Sequence, residues 1–127
     1  MADTDKDKDH KNYRDSGIAF SLTLITLSSA LIYWARSLIE LQPPINLSQK
    51  VITLFLMGFA CATIMASLAI QFCHYHGYKH QARVVFGQST PAQATKWFDS
   101  EDASFYAASC AFLITTALAV VLFVCRI

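Results

Sequence analysis

Residues 104–125, SFYAASCAFLITTALAVVLFVC, run for 22 positions without a charge. An apolar α-helix of about 20 residues spans the roughly 30 Å hydrocarbon layer of a bilayer. Two further uncharged stretches precede it, GIAFSLTLITLSSALIYWA at 17–35 and VITLFLMGFACATIMASLAIQFC at 51–73. Together the three occupy half of a 127-residue chain whose mean hydropathy is +0.37. A soluble protein of this size could not cover three helices that are apolar on nearly every face. The predicted fold is an all-α integral membrane three-helix bundle, with spans at about 17–39, 49–73 and 103–125. The spans form a single domain over 17–127, behind a charged, disordered tail at 1–16.

The first span is too long for the apolar core of a cleaved signal and continues into Tyr33, Trp34 and Arg36, which suit the interface. Basic residues set the orientation. The tail and the second loop together carry seven Lys and Arg, against three on the opposite side. Positive charge collects in the cytoplasm, which predicts a multi-pass inner-membrane protein with its N-terminus cytoplasmic and its C-terminus outside.

Between spans 1 and 2, Arg36 and Glu40 are spaced to pair, Pro43–Pro44 stops the helix, and Asn46 with Gln49 reads as a cap opening span 2. Beyond span 2, helix is expected to continue through HYHGYKHQARVV until Gly87 ends it. Thr90–Pro91 then predicts a short interfacial helix over 91–98, separate from span 3, with Trp97 and Phe98 turned into the membrane surface.

Lipid gives leucine no reward for meeting another helix, so small residues mark contact faces. Gly58, Ala62 and Ala66 form such a row on span 2, and Ala103, Ala107, Ala111, Thr115 and Ala119 form one on span 3. On span 1, Ala19, Thr23, Thr26, Ala30, Tyr33 and Ser37 follow alternating spacings of four and three, a heptad seam. That seam suits either helix packing or an uncharged, water-accessible pore lining.

Coupled transporters place ionisable groups at membrane depth, and the three apolar runs contain none. Their serines have no acid or histidine to activate them, so the chain reads as non-catalytic. The four cysteines make no CxxC pair and read as small packing residues. His76 and His80, one helical turn apart, are the candidate metal ligands, yet nothing nearby completes a site, and neither a metal nor another cofactor is predicted. Interfacial packing with Tyr75 and Tyr78 is the other reading of these histidines. Lys79 and Arg83 form a small basic patch suited to an anionic ligand or lipid headgroups. A net charge of +1 offers no surface for a nucleic-acid polymer.

The hydroxyl-rich first span FSLTLITLSSALIYWA, the short outer hairpin, and the cytoplasmic loop before a terminal span resemble small prokaryotic three-span proteins. More loosely they look like the membrane effectors of nucleotide-signalling antiphage systems of the Hailong and SLATT-like types. That resemblance implies a homo-oligomer whose opening depolarises the cell. In such an assembly Thr23, Thr26, Ala30, Tyr33 and Ser37 would line a pore, with Arg36 and Lys50 near its outer mouth. The alternative is a non-catalytic accessory subunit that docks to a larger membrane complex through the small-residue rows.

Overall fold

The computed structural model describes the backbone of residues 2–40 and 45–126, with side chains over 12–40 and 45–125. Three long helices make up the fold: α1 (Ala2–Ile39), α2 (Leu47–Val85) and α3 (Pro91–Arg126). Each contains a stretch long and apolar enough to cross a membrane. The charged residues 2–16 lie in the first turns of α1, and Pro43–Pro44 fall outside the described residues.

Helix ends follow local chemistry. Asn46 Oδ1 accepts from the Gln49 N–H at 2.8 Å and caps α2. At the other end of α2, the Gly87 N–H donates to Val84 and the Gln88 N–H to Arg83, with Gly87 at φ +71°. That pairing is a Schellman motif, and it needs the positive φ that glycine adopts without strain. Pro91 opens α3, where the Thr90 N–H donates to Gln93 Oε1 at 3.1 Å. No break follows. The expected short helix over 91–98 is instead the first part of α3, because nothing between Pro91 and Arg126 interrupts the hydrogen-bond ladder. Ala94, Phe98 and Glu101 there occupy buried positions that continue the packing seam.

The seam is a heptad on all three helices. α1 buries Ser21, Leu24, Ser28, Ala35 and Leu38, and α3 buries Ala108, Thr115 and Leu122. α2 lies between them and buries Thr53, Leu56, Ala60, Thr63, Ser67 and Ile70 at alternating spacings of three and four. A repeat of 3.5 residues keeps one stripe in register along a left-handed bundle. Small and hydroxyl side chains dominate this stripe, while Phe55, Met65, Leu113 and Phe123 point outward. Such an arrangement fits lipid as solvent, since close backbone approach holds helices together there.

Buried hydroxyls find partners mainly on their own helix. Thr53 donates to the Gln49 carbonyl at 2.7 Å, Thr63 to Phe59 at 2.9 Å and Thr115 to Ala111 at 2.7 Å. Gln71 Nε2 reaches across to Ser21 Oγ at 3.4 Å. The Ser28 and Ser67 hydroxyls are buried without a partner.

α2 is 39 residues long, far more than one membrane crossing requires. The 12 residues of α2 beyond its apolar run extend it by about 18 Å at 1.5 Å per residue. The start of α3 runs alongside, and α1 meets it at Arg14.

Candidate functional site

Where the apolar runs end, the heptad seam continues with charge. Arg14 stands seven residues before Ser21 on α1, His74 seven after Ser67 on α2, and Glu101 seven before Ala108 on α3. One register therefore brings all three to a single layer stacked on the apolar core. Arg14 and Glu101 are buried there, at 8% and 3% exposure.

The Arg14 guanidinium organises the cluster. Its Nη1 donates to Glu101 Oε2 at 2.9 Å, to Asp102 Oδ1 at 2.7 Å and to the Phe98 carbonyl at 3.4 Å. Its Cζ lies 4.6 Å from the centroid of the Phe98 ring, within cation–π range. The second oxygen of Glu101 faces His74 Nδ1 at 3.0 Å. A carboxylate only accepts, which assigns the proton to Nδ1. The other ring nitrogen lies 3.8 Å from Asp15 Oδ1.

A glycine makes the close approach possible. A Cβ on Gly77 would lie 2.6 Å from Phe98 Cε1, so only glycine lets that ring rest on α2. The Tyr78 ring closes the other side, edge-on to Phe98 with centroids 5.0 Å apart. Burial, its largest influence, raises the Tyr78 phenol above its ordinary range and keeps it neutral. α1 and α3 otherwise touch little, so the ion pairs are a principal tie between them. Chemically the cluster is a buried ionic clamp.

Neither Arg14 nor Glu101 stood out in the sequence, where Arg14 belonged to the tail and Glu101 fell between the expected interfacial helix and span 3. Counting sevens outward from Ser21 and Ala108 is the signal that finds them.

The expected contact and pore residues are distributed differently. Ala19, Thr23, Thr26, Ala30, Tyr33 and Ser37 are all exposed. Ala19, Thr26 and Tyr33 sit two residues before the buried Ser21, Ser28 and Ala35, about 200° around the helix. The seam thus faces away from the bundle. Its hydroxyls are satisfied on their own helix, with Thr23 donating to the Ala19 carbonyl at 3.1 Å and Thr26 to Leu22 at 3.0 Å. Arg36 Nε bonds Glu40 Oε1 at 3.3 Å on the surface, and Lys50 is exposed.

On α2, Gly58 and Ala62 face outward and Ala66 is half-buried. On α3, Thr115 is buried and Ala111 and Ala119 are partly so, whereas Ala103 and Ala107 are exposed. Lys79 and Arg83 are exposed on the projecting part of α2. His76 and His80 both stack on the Trp97 indole, with centroids at 4.9 and 6.2 Å, and His80 Nδ1 meets Ser89 Oγ at 3.1 Å. Among the described residues, no three His, Cys, Asp or Glu side chains are grouped to hold a metal ion.

Three long apolar helices, with small residues inside and large ones outside, define a multi-pass integral membrane protein. No family description, curated protein or solved structure matches the chain.

Proposed function

We propose that copies of this chain assemble in the membrane through the outward face of α1 and enclose a gated ion conduit. The observation that carries this reading is the face itself. Thr23, Thr26 and Ala30 are exposed, where a helix meeting only lipid has no need of small or hydroxyl residues. The outer faces of α2 and α3 mix large apolar side chains, among them Leu54, Phe55, Leu113 and Phe123, with small ones such as Gly58, Ala62 and Ala107, whereas on α1 the small and hydroxyl residues follow one heptad stripe.

In the assembly, Thr23, Thr26, Ala30, Tyr33 and Ser37 line the conduit and Arg36 and Lys50 ring its outer mouth, which biases it towards anions. The N-terminus is cytoplasmic and the C-terminus outside, in a bacterial inner membrane. Opening depolarises the cell, the action of a defence effector, and the chain carries out no catalysis. Three helices cannot surround a useful aqueous path, so the reading requires several copies.

An accessory subunit of a larger complex is the second reading. It is favoured by the groove on α2 where Leu54, Phe55 and Phe59 flank the exposed Gly58 and Ala62. Stoichiometry in a mild detergent, combined with planar-bilayer recording, tests the first reading. An oligomer with single-channel currents supports it, and a silent monomer overturns it. Crosslinks in native membranes formed only to another protein would support the second.

A further inference from the structure

We infer that the cavity between α1 and α3, beside Arg14, holds the ammonium headgroup of a zwitterionic membrane lipid. The cavity measures about 170 Å³, and the half-buried Gly17 and the exposed Phe20 on α1 face Phe105 on α3 across a floor formed by Ile70 of α2. These residues lie at the ends of the apolar runs, the level at which a lipid's headgroup meets its chains. The opening falls between the two helices that pack least against each other, so a lipid enters sideways from the bilayer.

Charge selects the headgroup. Among the described residues that line the cavity, Glu101 and Asp102 carry negative charge and Arg14 is the one cationic group, already engaged by both carboxylates at 2.9 and 2.7 Å. Asp102 is 46% exposed and meets Arg14 through Oδ1, which leaves its other oxygen for a cation. Aromatic faces reinforce the selection. Tyr13 stands at the rim, and Phe20 and Phe105 pack with centroids 5.3 Å apart, so an ammonium group meets both carboxylate and π-surface. The acyl chains follow the same two phenylalanines and Ile70 into the hydrocarbon. An anionic headgroup at this position is repelled. The inference stands apart from self-assembly, because the whole cavity is formed within one protomer.

Native mass spectrometry of the delipidated full-length protein, offered equal amounts of phosphatidylethanolamine, phosphatidylcholine and phosphatidylglycerol, tests it. Uptake of either ammonium-bearing lipid about tenfold above phosphatidylglycerol is expected. Asp102→Asn should reduce that preference to near unity, while Arg14 keeps Glu101 as its partner. Gly17→Leu fills space where a Cβ meets nothing within 4 Å, so it should block uptake while the melting temperature stays near that of the wild type. Equal uptake of the three lipids by the wild type overturns the assignment. So does an unchanged preference in Asp102→Asn or unchanged uptake in Gly17→Leu.

Discussion

Replacing Arg14 with Gln removes the cation that balances Glu101 in the bundle core. Glu101 keeps His74 as a hydrogen-bond partner at 3.0 Å, but its charge is left at 3% exposure with no Lys or Arg paired to it among the described residues. Breaking a buried ion pair from one side costs about 3–5 kcal/mol. Asp102 adds little, because at 46% exposure water takes over its solvation, and surface pairs contribute about 0–1 kcal/mol. The retained histidine contact places the expected loss near the lower end, about 3 kcal/mol. Adding Glu101→Gln removes the stranded charge, and the double variant should lose less than the sum of the two single losses. Unfolding by dodecyl sulfate titration in mixed micelles, followed by circular dichroism, measures all three variants. A loss below about 1 kcal/mol for Arg14→Gln, or strict additivity with Glu101→Gln, would refute the clamp.

Gly77→Ala drives a methyl group into the Phe98 ring, an overpacking cost of about 1–3 kcal/mol, set against about 1 kcal/mol of improved helix propensity. The net should be a small loss in the same titration, whereas Gly17→Ala, which meets nothing, should give a gain. Ala60→Leu enlarges a side chain of zero exposure in the α2 seam and should cost at least about 1–3 kcal/mol. Ala62→Leu, two residues away on the outer face, should leave monomer unfolding within about 0.5 kcal/mol of the wild type. Thr26→Leu should likewise spare protomer stability yet change unit conductance or subunit number, and identical currents would count against α1 as the lining helix.

Features set by neighbouring residues could be read directly from the chain. The three spans, the Asn46 cap, the Gly87 stop, Pro91 at a helix start and the Arg36–Glu40 pair depend on contacts within a few positions, and all are present. The small-residue rows show where such reading ends. Each step of four residues turns a helix about 40° past a full circle, so the row from Ala103 to Ala119 winds through about 160°. It cannot stay within one interface, and only its later members, Ala111, Thr115 and Ala119, approach the bundle.

On α1 the ambiguity is deeper, because the helix carries two heptad seams. One runs through Ser21, Ser28 and Ala35, the other through Ala19, Thr26 and Tyr33, and both have a suitable period. Periodicity identifies a stripe without saying which stripe meets a partner. Packing against α2 chose the first and left the second exposed.

Sequence alone determined that this chain crosses a membrane three times as helices, because span length and the absence of charge are properties of contiguous residues. Tertiary structure decided which face each helix buries and that Arg14 meets Glu101, 87 positions away. The physical reason is that an ion pair in a low-dielectric core forms only when packing has already brought both helices into register.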